Sequence, residues 1–456
     1  MRGKNNIRFR SPGFKSVAYG KGLMIVFLSV VARTNCWAQD SLTLVQCINH
    51  ALNNNLAIHH SKLVKEGSTV DLKSSKNNFL PTIEGAARNV QNWGLFIDPA
   101  TNTLTTNSTE IYTAAINGEL VIFNGGYNYF NTQQKYALNN AADADLKKVT
   151  NDIVLKAVAA YFQVLFAQEQ LRIAMTQKNM SLNQYERIKG LVSEGIFHRR
   201  ELLHNESEIA FRDVSIVNAS NNIQKSNLLL KQIIGLRSDF YIKPATGQVL
   251  TSDTLKSLNT QIAYSPSSAF LPELHAAQHR LRAAKHSSNI FRSQRYPSFS
   301  ISTGVITRSS SLLALEQNKQ FRRNVSEYVA FNLRVPIFNQ FQVNNNIVRA
   351  KIEVDLRENE LRQVEQKVEE TLQNTVLDVA AAQKKYVALQ KQVGALSQEY
   401  IFAEKSYQAG TMTFLEYNIA NTRYSNSEVE LLQAKYDFYL KRKILDFYEN
   451  KSLLLE

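Results

Sequence analysis

The chain has 456 residues, 53 of them Lys or Arg and 39 Asp or Glu, for a formal net charge of +14. Seven of the basic residues (Arg2, Lys4, Arg8, Arg10, Lys15, Lys21, Arg33) and no acid fall in the first 38 positions, which leaves 46 basic against 39 acidic residues spread without blocks and disfavours a nucleic-acid partner. At 44% hydrophobic and 20% charged the sequence excludes wholesale disorder; 17 Gly and 8 Pro are too few for a many-turned sandwich or propeller, and two cysteines cannot build a disulfide framework or a four-ligand zinc site.

The amino terminus reads as an export signal. A basic stretch leads into the mostly apolar run Leu23 to Ala32, and Cys36-Trp37-Ala38 places small residues first and third before Gln39. This is the layout of a secretory signal over residues 1–38, cleaved after Ala38. Arg33, Thr34 and Asn35 precede Cys36 where a lipid-attachment motif wants Leu and small residues, so no lipid anchor is expected. Beyond Ala38 no run approaches the roughly 20 apolar residues of a membrane helix. An exported chain of this kind enters a membrane only as strands.

The rest of the chain is written twice. Pro81-Thr82-Ile83 returns as Pro297-Ser298-Phe299 at an offset of 216; Ile122-Phe123-Asn124 returns as Ile337-Phe338-Asn339, and Tyr185 with Gly195 as Tyr400 with Gly410, both at 215. The expected organisation is a first repeat over 39–236, a linker over 237–268 holding Pro244, Gly247 and Pro266, and a second repeat over 269–456. Each repeat reads as a helix, two strands, a very long helix, a turn and a second long helix.

The strands are expected near 82–92, 111–123, 298–307 and 326–338. In the second, Tyr112, Ala114, Ile116, Gly118, Leu120 and Ile122 alternate with Thr113, Asn117 and Glu119. In the fourth, Val329, Phe331, Leu333, Val335 and Ile337 are set against Glu327, Asn332 and Arg334; in the third, Phe299, Ile301 and Val305 oppose Ser298, Ser300 and Ser302. Runs of about 11 to 13 residues, tilted near 45°, cross roughly 25–30 Å, the height of a bilayer's hydrocarbon. Four strands cannot close a barrel, for which about eight is the lower limit, so several chains must share one.

Helical pattern without proline runs from about Tyr127 to Leu191 and from about Val343 to Gln408, on the order of 100 Å each. Apolar residues follow a coiled-coil seam: Leu146, Val149, Ile153, Val158, Tyr161 and Leu165 in one; Val379, Ala382, Tyr386, Leu389, Val393, Leu396, Tyr400, Ala403 and Tyr407 in the other. Both patterns pause at a glycine, Gly195 and Gly410, and restart toward Leu236 and Leu453, so these glycines mark hairpin tips. No His-Glu-x-x-His, phosphate loop or Gly-x-Ser-x-Gly elbow is present, and an enzyme is not expected. His59-His60 reads as surface histidine and not as a metal site, Cys47 as core beside Leu44, Ile48 and Ala51, and no cofactor is expected.

The duplicated order, Phe79 to Ile83 before the first strand, Ile122 to Gly126 after the second and the tip glycines together resemble the TolC-like outer membrane efflux protein family, over Ser41 to Leu453. The resemblance implies a mainly α fold with a membrane β-barrel: a homotrimer with one twelve-stranded barrel, four strands per chain, above a periplasmic α-helical tunnel. It implies a passive export duct in the bacterial outer membrane. The tips (Gly195, Ile196, Gly410, Thr411) would dock a periplasmic adaptor and, through it, an inner-membrane efflux or secretion transporter. It also implies a gate at the tip, with Tyr407 and Glu201 as a tyrosine-to-carboxylate link and Glu416 as an acidic ring position. Met412 stands where the family often has an arginine, and Ile419 where a second acid is common. The rival reading is a coiled-coil structural protein of the periplasm or surface, without a pore.

Overall fold

The computed structural model describes residues 41–98, 101–106, 108–236, 243–244 and 271–448. The signal segment, its cleavage site and most of the linker lie outside them. From Leu42 onward the chain forms one contact unit. Its first half runs α1 (Leu44–Asn54), α2 (Leu56–Asn77), β1 (Thr82–Asn92), β2 (Thr109–Asn124), α3 (Tyr127–Ser193) and α4 (Arg199–Ile234). Its second half runs α5 (Pro272–Ser293), β3 (Ser298–Ser310), a short α6 (Gln317–Arg323), β4 (Ser326–Arg334), α7 (Gln342–Gln408) and α8 (Phe414–Tyr448). The two long helices, α3 and α7, have 67 residues each.

Rods of this length cannot share one core; among the described residues three separate hydrophobic clusters form, and others, such as Leu274, Ala277, Leu281 and Ile347, are buried outside them. The first is dry and joins Leu44, Cys47 and Ala51 of α1, Ala157, Val158, Tyr161 and Val164 of α3, and Leu230 and Ile234 of α4. It contains an 18-residue window of α3 apolar enough to cross a bilayer, contrary to the expectation that none exists; half of that window is buried, so it serves as the core helix of this cluster. The second cluster joins Val379, Ala382, Tyr386 and Leu389 of α7 to Ala434, Phe438 and Leu445 of α8. The third lies at the hairpin tips. In the α7 seam Val393 and Leu396 are only half-buried between the buried Leu389 and Tyr400.

The four strands form one antiparallel sheet in the order β1-β2-β3-β4. Its register aligns the alternation of every strand. Ile83, Gly85 and Ala87 lie opposite Gly118, Ile116 and Ala114; Ile116 and Leu120 lie opposite Val305 and Ile301; Phe299, Ile301 and Thr303 lie opposite Leu333, Phe331 and Val329. All of these share one face. The other face collects Glu84, Arg88, Thr113, Asn117, Glu119, Ser302, Arg308, Asn332 and Arg334. Polar links cross it: Asn332 Nδ2 donates to Ser302 Oγ (3.0 Å), and Tyr328 Oη donates to Asn117 Oδ1 (3.2 Å), its ring lying over Gly304.

On a water-soluble sheet the apolar face would be covered. Here Ile83, Ile116, Val329, Phe331 and Leu333 are each at least 60% exposed. A contiguous uncovered face of this kind is the surface that barrel strands offer to lipid. Two details differ from the sequence reading. Glu327, grouped there with the polar residues, lies opposite Val305 and so on the apolar face, at its end away from the long helices. β4 stops at Arg334 instead of continuing to 338, because Pro336 has no N–H to donate and restricts Val335 before it.

The repeats also part at the junction of sheet and long helix. Between β2 and α3, Gly125 and Gly126 take φ of +68° and +86°; at the corresponding positions before α7, Gln340 and Phe341 take +53° and +57°. A left-handed backbone is costly for a residue with a Cβ, by roughly 1–2 kcal/mol. A Cβ on Gly125 would stand 2.2 Å from the Ser293 carbonyl oxygen at the end of α5. Gly125→Ala is therefore expected to lower the melting temperature of the detergent-solubilised protein by well over the strain alone. Gln340→Gly relieves strain and is expected to stabilise by about 1 kcal/mol; thermal unfolding followed by circular dichroism reads both.

Candidate functional site

The two hairpin turns are built alike. Gly195 (φ +74°) follows the end of α3, with Ile196 N–H donating to the Leu191 carbonyl at 2.9 Å; Gly410 (φ +71°) follows α7, with Thr411 N–H donating to the Ser406 carbonyl at 3.0 Å. Each bond closes the last turn in the manner that a left-handed residue permits. No side chain crowds either glycine, so the backbone angle alone selects them. Ile196 and Thr411 are exposed at the turns, as are Leu203 and Leu415 beyond them.

The second helices of the hairpins start differently. In repeat two, Thr413-Phe414-Leu415-Glu416 forms a capping box: Glu416 N–H donates to Thr413 Oγ1 (3.4 Å), while Thr413 N–H (3.0 Å) and Thr413 Oγ1–H (2.8 Å) donate to Glu416 Oε2. The Thr413 backbone N–H, then its hydroxyl, hold the Glu416 carboxyl below the usual carboxylate range. In repeat one, His198 occupies the capping position and makes no side-chain cap bond.

Glu201, the counterpart of Glu416, is thus free of a cap and meets Tyr407 instead. Tyr407 Oη donates to Glu201 Oε2 across 3.4 Å, a long bond that joins the second hairpin to the first within one chain. Glu201 is 14% exposed, with Arg200 Nη2 3.7 Å from its other oxygen. Burial first, then the Glu201 charge and hydrogen bond, push the Tyr407 hydroxyl well above its ordinary range. It therefore stays a donor at physiological pH.

Tyr407 sits in the aromatic cluster that closes the tip. It stacks on Tyr417 (5.0 Å between centroids) and Phe197 (5.7 Å) and touches Phe414 (5.9 Å); Tyr400 stacks on Tyr424 (5.4 Å). Ile188 of α3 and the partly buried Met412 complete it, so Met412 packs and does not offer a charge. Ile419 is exposed. One layer toward the sheet the hairpins meet through polar groups. Buried Arg212 of α4 donates to Gln177 Oε1 (2.9 Å), Gln177 Nε2 to Glu428 Oε2 (3.4 Å), and Tyr424 Oη to Glu428 Oε1 (2.8 Å).

The sequence reading brought Tyr407 and Glu201 together and left the cluster and the Arg212 bridge unnoticed. The seven-residue steps from Tyr400 to Tyr407 and from Tyr417 to Tyr424 carry the first; nothing local carries the second. His59 and His60 are exposed, and among the described residues no cluster of three or more His, Cys, Asp or Glu is placed to hold a metal. Burial pushes the Cys47 thiol up to about 12, so it is an inert core group.

A family profile described as outer membrane efflux protein matches residues 47–236 and 269–446, both repeats with their sheet strands and tips. The chain belongs to that family. The family is one of outer membrane efflux proteins and not a class of enzymes, and the chain's place is the bacterial outer membrane. Among relatives, the cation efflux system protein CusC of Escherichia coli O6:H1 is 26% identical over 305 residues, 62% of this chain and 64% of the relative. The match thus spans just under two thirds of that protein. A Salmonella typhimurium protein named "Probable outer membrane lipoprotein SilC" is 22% identical over 386 residues, 81% of this chain and 77% of the relative. The fold matches the CmeC outer membrane channel of Campylobacter jejuni with a TM-score of 0.77 at 17% identity, covering 88% of this chain and 84% of that one. VceC of Vibrio cholerae matches with a TM-score of 0.77 at 14% identity, over 90% and 97%.

The unequal caps give a direct test. Thr413→Ala should cost about 1 kcal/mol, read as faster hydrogen exchange in the first turn of α8, whereas His198→Ala should leave the first turn of α4 unchanged. Because the carboxyl is held below its ordinary value, protection in α8 should persist as pH falls through 4.5 and be lost only below it.

Proposed function

We propose that three copies of the chain form a passive duct through the outer membrane, with one twelve-stranded barrel and a helical tunnel beneath. The observation that carries this reading is the sheet: its apolar face is bare, and its outer strands β1 and β4 have unpaired edges. Unpaired backbone groups are not tolerated in hydrocarbon. β1 and β4 run in opposite directions, so β1 of one copy meets β4 of the next in antiparallel sense, and three copies pass the lower limit of about eight strands. A pore-free coiled-coil rod gives no account of the bare face.

The exposed tips around Gly195, Ile196, Gly410 and Thr411 are the docking surface for a periplasmic adaptor, which links the duct to an inner-membrane transporter. Energy for export comes from that transporter. The tunnel passes small molecules or proteins, and the name of the CusC relatives favours ions among the cargo classes. Tyr407 with Glu201 restrains the closed tip, and three copies of Glu416, kept ionised by the capping box, ring the entrance and attract cations.

The protein should fractionate with the outer membrane and migrate as a heat-modifiable trimer; extraction by a carbonate wash would instead favour the rod. Phe331→Arg on the apolar face should cost about 2–4 kcal/mol at mid-membrane and reduce assembled trimer, while Asn332→Arg on the other face should not. Glu201→Ala with Tyr407→Phe should raise single-channel conductance in planar bilayers, and unchanged conductance would remove the link from the gate. Glu416→Gln should weaken block by trivalent cations; equal block would place Glu416 away from the constriction.

A further inference from the structure

On the polar face of the sheet the acids are confined to the half toward the helices, where Arg334 also lies, opposite Ser298, and the charged residues of the far half are all arginines. Toward the helices, Glu84 lies opposite Asn117, and Glu119 lies between Thr82 and Ser302. Toward the far end, Arg88 and Arg308 lie opposite the same residue, Thr113, one on each side of it. The two arginines are therefore in one row across the sheet, about 10 Å apart at two strand spacings. Glu84 is four residues from Arg88 along β1, roughly 13 Å, beyond ion-pair reach.

Neither guanidinium has an ion-pair partner among the described residues. The acids nearby are engaged elsewhere. Glu110 is on the opposite face, accepting from Tyr112 Oη (2.7 Å) and Asn89 Nδ2 (2.8 Å). Glu327 is also on that face. Asp98 is fully buried in the loop between β1 and β2, accepting from the Ser310 hydroxyl and from Thr101 N–H (3.0 Å). Glu316 pairs with Lys319 (3.2 Å) in the loop between β3 and β4, where Arg322 and Arg323 are exposed.

From this we infer that Arg88 and Arg308 form an anion-binding ring inside the outer mouth of the barrel, two guanidinium groups per chain and six per trimer. The ring rests on the trimeric duct proposed above. In a narrow bore, a ring of one sign with no counter-charge concentrates ions of the other sign. Guanidinium is suited to bidentate contact with phosphate, sulfate or carboxylate groups. The ligand class is a small multivalent oxyanion in the aqueous bore. Cargo that passes an acidic entrance at the tip thus meets a basic ring at the exit, and the duct discriminates at both ends.

The experiment is single-channel recording of the full trimer in bilayers of phosphatidylcholine alone, so that no anionic lipid can occupy the arginines, with inositol hexakisphosphate added to each side in turn. The expected result is stronger block from the side carrying the strand loops. Arg88→Gln with Arg308→Gln should weaken that block about tenfold or more, Arg88→Lys with Arg308→Lys should keep most of it, and Arg322→Gln with Arg323→Gln should leave it in place. A Gln double variant that still conducts as a trimer and is blocked at unchanged concentration overturns the ring while leaving the duct intact. If the wild-type trimer conducts no ions at all, the duct itself fails and the ring falls with it.

Discussion

A strand buried in hydrocarbon must pair both of its edges, and four strands on one chain cannot. That unmet backbone requirement governs the rest of the molecule. It makes the apolar face of β1 to β4 useless to a monomer in water, where Ile83, Phe331 and Leu333 lie bare. It also makes the polar face, with Glu84, Arg88, Glu119 and Arg308, the inner wall of whatever the strands close into. The helices inherit the arrangement. Each long helix leaves the sheet through a tight left-handed turn; α7 keeps only a narrow seam dry along roughly 100 Å, whereas α3 is buried on most sides where it serves as the core of the first cluster.

Duplication supplied the architecture, and divergence between the copies supplied the chemistry. At the sheet junction one copy has Gly125-Gly126 and the other Gln340-Phe341, so the same left-handed turn is relaxed in one and strained in the other. At the tip one copy has Thr413 before its helix and the other His198. The threonine engages Glu416 in a capping box; the histidine leaves Glu201 able to accept from Tyr407. A single change of residue type thus separates a carboxylate that stabilises its own helix from one that ties two hairpins together.

Legibility followed the range of the interaction. Period two along β2 and β3 and the seam from Val379 to Tyr407 were readable, because they are local repeats imposed by strand and helix geometry. Periodicity alone overruns the end of β4, since the apolar alternation continues through Val335 and Ile337 after the hydrogen bonds have stopped short of Pro336. Residue type misleads at Glu327, because parity alone decides the face and sets this acid opposite Val305 on the apolar side. The capping box at Thr413 and Glu416 has a local signature and was open to reading. The contact between Tyr407 and Glu201, 206 positions apart, came from the family resemblance alone. Arg212 with Gln177 and Glu428 had no such guide, for no spacing rule links three helices.

The character of the contacts changes along the rods, and this grades their stability. Around Cys47, Val158, Tyr161 and Ile234 the packing is dry and includes α1 as well as the hairpin helices. At the tip the two hairpins share a stack of aromatic rings, one long hydrogen bond and, just above, the bridge through Arg212, Gln177 and Glu428. Dry aliphatic packing loses its contacts all at once when separated, whereas polar partners exchange each other for water at a net loss of about 1 kcal/mol per bond. Local opening is therefore expected to begin at the tips and to meet rising resistance toward the dry cluster, which suits the duct proposed above, where the tips are the docking end.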